Sequence, residues 1–137
     1  MAITGGCLCG SVRYEIDAAP IVCRTCWCRF CQKIGAGGPS VNVGFPVDRT
    51  TISGALTDYP STADSGNAMH RRFCPACGVH LFSEAEARPN LIFVRAGTLD
   101  DPEIAKPEIT IWTAEAPSWA CIDSEIPSLE GQPPAPK

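Results

Sequence analysis

Phe73-Cys74-Pro75-Ala76-Cys77-Gly78 is the stretch whose reading decides the fold of this chain. Two thiolates separated by two residues point at one tetrahedral ion when the turn between them is tight. Pro75 pre-sets a turn φ, and Gly78 takes the positive φ that turns backbone N–H groups toward the sulfurs. Such N–H···S contacts offset thiolate charge. A redox CxxC pair would sit at a helix N-terminus inside a βαβ pattern. Here the flanking residues, Arg72-Phe73 and Val79-His80-Leu81-Phe82, read as strands, so the knuckle points to metal.

A knuckle supplies two ligands and tetrahedral zinc takes four. Cys7-Leu8-Cys9, between Gly6 and Gly10, is a second pair with the same deficit. Joining Cys7 and Cys9 to Cys74 and Cys77 closes one four-thiolate site, structural because it leaves no open position. The remaining cluster, Cys23, Cys26, Cys28 and Cys31, has the spacing CxxCxCxxC. Cys26, Cys28 and Cys31 can bind one zinc with a net charge of −1 and one open position, as a catalytic zinc does. Cys23 can equally fill that position, and the spacing leaves both arrangements open. Cys121 stands alone and reads as a small buried hydrophobe.

Composition bounds the rest. A chain of 137 residues with 45% hydrophobic content is one domain's length with enough apolar side chain for a core. A net charge of −4 without a basic run disfavours phosphate-directed nucleic-acid binding. No stretch approaches the roughly 18 apolar residues of a membrane span. The opening residues Met1–Gly6 lack a charged n-region and an apolar h-region, so no secretory signal is expected. Nine cysteines, an odd number in a chain without such a signal, favour metal binding over a disulfide framework, and a cytoplasmic location is expected.

Period-2 alternation predicts strands over Ser11–Ile16, Ser40–Phe45, Val79–Phe82, Leu91–Val94 and Ile109–Trp112. One short helix is predicted over Arg29–Ile34, ended by Gly35. Thr57–Met69 is polar and turn-rich and reads as irregular. The expected organisation is a single zinc-binding β domain over 1–126 and a flexible Pro-rich tail over 127–137. The strands offer little core for this length, so metal cross-links would supply folding energy.

The ordered clusters and their flanks resemble the glutathione-dependent formaldehyde-activating enzyme family of zinc carbon–sulfur lyases. The likeness runs from Gly5 to about Trp119 and includes Gly5–Tyr14, the Cys26/Cys28/Cys31 core with Lys33 and Gly35, and Gly54, Tyr59 and Ser61. It continues through Arg72–Gly78, Gly97–Pro102 and Pro107–Trp119. The resemblance implies a mainly β, tent-like arrangement of small coiled antiparallel sheets stapled by zinc. It implies two zinc ions, a structural one on Cys7, Cys9, Cys74 and Cys77 and a catalytic one on Cys26, Cys28 and Cys31. Trp27 replaces the family's usual His, Gln32 its usual Arg, and Thr110 a later His. Trp27 reads as core packing before it reads as a wall of the site.

The activity implied is formation or cleavage of a thiol–aldehyde adduct such as S-hydroxymethylglutathione. Its partners are a small thiol such as glutathione and an aldehyde such as formaldehyde, with no nucleic acid and no membrane. The alternative is a non-catalytic zinc-stapled β-domain that binds a protein partner. A third option, a redox dithiol protein, predicts reversible disulfides and no metal. No general acid or base is assigned: Lys33, Asp100 and Asp101 read as solvated charges, and His70 and His80 as surface or packing residues.

Overall fold

The structure is a computed structural model and describes residues 2–134. It is mainly β, in two sheets. The smaller has three antiparallel strands in the order β1-β2-β5, where β1 is Ile3–Gly6, β2 Arg13–Ile16 and β5 Thr50–Ser53. The larger has seven strands in the order β10-β3-β4-β9-β8-β7-β6. These are β3 (Val22–Cys26), β4 (Ser40–Pro46), β6 (Thr57–Thr62), β7 (Ala68–Phe73), β8 (His80–Ala85), β9 (Leu91–Arg95) and β10 (Ile109–Ile111). All neighbours are antiparallel except β10, which runs parallel to β3, so the large sheet is mixed. Among the described residues the one α-helix, α1, spans Arg29–Ile34, as the sequence predicts.

Alternation explains how the sheets meet. In β2, Tyr14 and Ile16 are buried while Arg13 and Glu15 are exposed. Those inward residues join Val43 and Phe45 of β4, Leu81 and Phe82 of β8, and Ile92 and Val94 of β9 in the main core. Tyr14 packs edge-to-face on Phe82 with centroids 5.3 Å apart. Each fully buried side chain of this size contributes about 1.5–3 kcal/mol. Gly54, just after β5, has φ +101, and a Cβ there would lie 2.0 Å from the Ser11 carbonyl oxygen. The turn that carries Ser11 can therefore close down only on a glycine.

Two expectations change. Thr57–Met69, read as irregular, forms the antiparallel hairpin β6/β7 with register Thr57↔Phe73 to Thr62↔Ala68. β6 is an edge strand that is exposed at all but one position, so no apolar alternation marks it. Its edge position also tolerates Pro60. The segment expected to be a flexible tail is extended but has partners. Thr110 N donates to Pro127 O (3.0 Å), Leu129 N to Thr110 O (2.9 Å) and Thr113 N to Leu129 O (3.1 Å). Residues 135–137 of that tail lie outside the described residues.

Candidate metal centres

The knuckle forms on the turn between β7 and β8, with Gly78 at φ +76 and its N–H on Cys74 O at 2.8 Å. The N–H groups of Ala76 and Cys77 point at Cys74 Sγ at 3.4 and 3.5 Å. Cys7 and Cys9 come from the β1–β2 turn. The four Sγ atoms of Cys7, Cys9, Cys74 and Cys77 lie within 4.8 Å of one another, a set that can hold a metal ion. Burial alone would raise the Cys7 thiol. The Val12 N–H (3.3 Å), the Ser11 hydroxyl and Cys9 outweigh it and bring Cys7 down to about 6. Cys74 is lowered too, first by the Ser11 hydroxyl.

The sequence reading gives Ser11 only the start of a strand, and here it holds a central place among the sulfurs. Its Oγ is 3.1 Å from Cys9 Sγ, 3.1 Å from Cys74 Sγ and 3.8 Å from Cys7 Sγ. The signal was present in Cys9-Gly10-Ser11, where a hydroxyl two residues past a ligand can turn back on the sulfurs.

The second cluster is built by the end of β3 and the start of α1. The Sγ atoms of Cys26, Cys28 and Cys31, all buried, also lie within 4.8 Å of one another. Cys28 caps α1, its sulfur accepting the Cys31 N–H at 3.4 Å. The thiols of Cys26 and Cys28 hydrogen-bond to Cys31 and, helped by the charge of Arg95 and by Ser40, pull it down to about 2 against burial. Cys26 is raised by its bonds to Cys28 and Cys31 and by burial. On Cys28 the bond from Cys26 is outweighed by Cys31 and burial, leaving it at about 11. Sulfurs this close and this buried resist ionising together, and a bound cation would favour all three as thiolates.

Cys23 is absent from this group. It packs in the main core, and burial pushes its thiol up to about 11. The three sulfurs instead line a narrow cleft with a cavity volume of about 100 Å³. Arg24, Arg71, Arg88 and Arg95 also line it, with Asn42, Asp64, Phe93, Ile111 and Trp112 among the other walls. Ile111 packs on the sulfurs, backed by Phe30, Ile109 and Trp112.

The residues that depart from the resemblance lie outside this cleft. Trp27 is buried against Trp119, centroids 6.3 Å apart and planes 78° apart, so packing is its role. Gln32 is buried and donates through Nε2 to Trp27 O (2.7 Å) and Glu115 O (3.0 Å). It ties α1 to the segment after β10. Thr110 is buried on β10 and, with Thr25 and Trp27, lines a separate hollow.

Cys121, read as buried, is exposed: it follows the last strand, where no sheet covers it. His70 pairs through Nδ1 with Asp58 (2.7 Å) and through Nε2 with Glu86 (3.5 Å). His80 stacks on Phe73 with centroids 5.0 Å apart and its pKa is lowered, first by burial. Lys33, Asp100 and Asp101 lie away from the cleft; Asp100 pairs with Arg13 and Asp101 caps a 3-10 turn. Among the described residues no helix is long and apolar enough to cross a membrane.

The crystal structure of a Rhodobacter sphaeroides protein is similar in fold, with TM-score 0.56 and 19% identity over 91% of this chain and 98% of that one. At that identity the likeness speaks for the architecture only. The sequence pattern of the family described as glutathione-dependent formaldehyde-activating enzyme matches residues 2–115, a span that takes in both sulfur clusters. The chain belongs to the glutathione-dependent formaldehyde-activating enzyme family.

Proposed function

We propose that this chain is a zinc-dependent carbon–sulfur lyase that forms and cleaves adducts between a small thiol such as glutathione and an aldehyde such as formaldehyde. One observation carries the reading: one set of sulfurs has the four ligands that tetrahedral zinc takes, while the other has three and lines a cleft. Both sets are all-thiol, which suits zinc. Cys7, Cys9, Cys74 and Cys77 would hold a structural ion, and Cys26, Cys28 and Cys31 a catalytic one. Zinc held there would supply a Lewis-acid position that lowers the pKa of a substrate thiol toward neutral.

The chain's own residues do the rest. Arg95, held by Asn42 through NH1, faces the sulfurs and offsets their negative charge. Ile111, with Phe30, Ile109 and Trp112, keeps water from the floor of the cleft. In the synthetic direction a sulfur–carbon bond forms at the carbonyl carbon and the C=O π pair moves to oxygen. The proton released by the thiol ends on that oxygen, and the lyase direction reverses each change. Among the described residues the cleft is lined by no Lys or His, and the proton is exchanged with water at the mouth, where Asp64 is the nearby carboxylate.

Exchange NMR of formaldehyde with glutathione tests the reading. Zinc-loaded protein is expected to raise the adduct exchange rate above the spontaneous one, and Cys28→Ser to return it there. Equal rates with and without the zinc-loaded protein would overturn it.

A further inference from the structure

Three of the four cleft arginines are withdrawn from water: Arg24 and Arg71 are each 6% exposed and Arg95 8%. A buried guanidinium is ordinarily held against a carboxylate. Even more exposed arginines elsewhere find carboxylates: Arg13 pairs with Asp100, Arg49 with Asp17 and Arg72 with Glu84. Among the described residues none of Arg24, Arg71, Arg88 and Arg95 has an ion pair.

Their partners are neutral. Arg71 donates to Ser61 Oγ and lies 4.4 Å from the centroid of the Phe30 ring. Arg24 lies 5.4 Å from the centroid of Phe93. Arg95 donates to Asn42, and its buried Nε meets no acceptor. The charges of Arg95 and Arg24 feel the sulfurs, but none of the four guanidiniums meets a carboxylate among the described residues. Asp64 is the cleft's carboxylate and pairs with none of them. Guanidinium charge reaches the cleft from β3, β7 and the turn after β8.

We infer that Arg24, Arg71 and Arg88 form a carboxylate-recognition wall, selecting thiols that carry carboxylates over neutral thiols. The planar fork of a guanidinium accepts a carboxylate through two parallel N–H···O bonds, and a dry wall strengthens them. The inference rests on the proposed thiol chemistry for its substrate, yet it concerns binding.

S-Methylglutathione is the probe, because its thioether cannot become a thiolate and its carboxylates remain. Calorimetry on the zinc-loaded protein is expected to show binding that weakens about tenfold or more when the carboxylates are esterified. Arg88→Gln is expected to weaken the acid by about tenfold while leaving the ester unchanged, and Arg88→Lys to recover part of the loss. Arg88 is only half-buried, so its variants keep the core intact. Equal binding of acid and ester, an unchanged preference in Arg88→Gln, or no binding of the acid overturns the inference. Equal acceleration of adduct exchange with glutathione and 2-mercaptoethanol would also overturn it while leaving the lyase reading standing. The expected binding pattern without any acceleration would sink the lyase reading and leave the wall.

Discussion

Cys23 and Cys26 sit three residues apart on β3 and face opposite sides of the sheet. Cys26 joins Cys28 and Cys31 on the cleft floor, and Cys23 packs in the main core. Arg24, two residues from Cys26, lines the cleft with it, as a period of two requires. The strand itself therefore keeps a fourth sulfur from the open set.

Cys23→Ala should leave both zinc ions in place and cost about 1–2 kcal/mol of core stability. Cys28→Ser should lose the second ion. Native mass spectrometry with a weak chelator counts both. Loss of an ion from Cys23→Ala would mean that the strand rearranges to make Cys23 a ligand.

Ser11→Ala removes the hydroxyl shared by Cys9 and Cys74. Outer hydrogen bonds of this kind commonly matter by about 10–100-fold in metal affinity. Chelator competition should show the four-sulfur site loosened by about that factor and the three-sulfur site unaffected. An unchanged four-sulfur site would show that the N–H groups of Val12, Ala76 and Cys77 suffice.

The hairpin that carries Arg71 should respond to pH through His70. Its pKa is raised, first by the hydrogen bond to Asp58 and further by the charges of Asp58 and Glu86. A raised folded-state pKa gives stability that is fully present below the unfolded value of about 6.5 and lost as pH rises through the folded value. Asp58→Asn should therefore lower Tm at about pH 5.5 and make little difference at about pH 9. A penalty of equal size at both pH values would mean that the imidazolium charge contributes nothing.

Ending the chain at Ile126 removes the backbone partners of Thr110 and Thr113 and the Gln132 acceptor of Trp112 Nε1 (3.0 Å). Trp112, at φ +59, loses the contacts that hold it in a left-handed backbone. Several such bonds, each about 0.5–1.5 kcal/mol, should lower Tm measurably and speed loss of the second zinc. A truncated chain with unchanged Tm would make residues 127–134 dispensable.

The local elements that were legible are those with a period or a punctuating residue. Val43 and Phe45 mark β4, Tyr14 and Ile16 mark β2, and the end of α1 at Gly35 follows from glycine's low helix propensity. β6 was hidden because an exposed edge strand needs no apolar face. β3 was hidden because its residues read as a ligand cluster. Cys121 was misread because an isolated cysteine carries no signal of what will cover it.

The sequence by itself determined which sulfurs travel in pairs. The spacings of Cys7/Cys9 and Cys74/Cys77 leave two pairs that each need a second, and Pro75 and Gly78 fix the local turn between the last two. Only the tertiary structure decided what surrounds them. Whether Cys23 reaches the open set depends on the face that β3 turns to the core. Ser11 reaches the closed set because Gly54 lets its turn approach. The arginines of the cleft come from β3, β7, β9 and the turn after β8, which are far apart in sequence. Local chemistry depends on neighbours along the chain and is written there. A cleft's charge is a sum over strands that meet only after the sheet has formed.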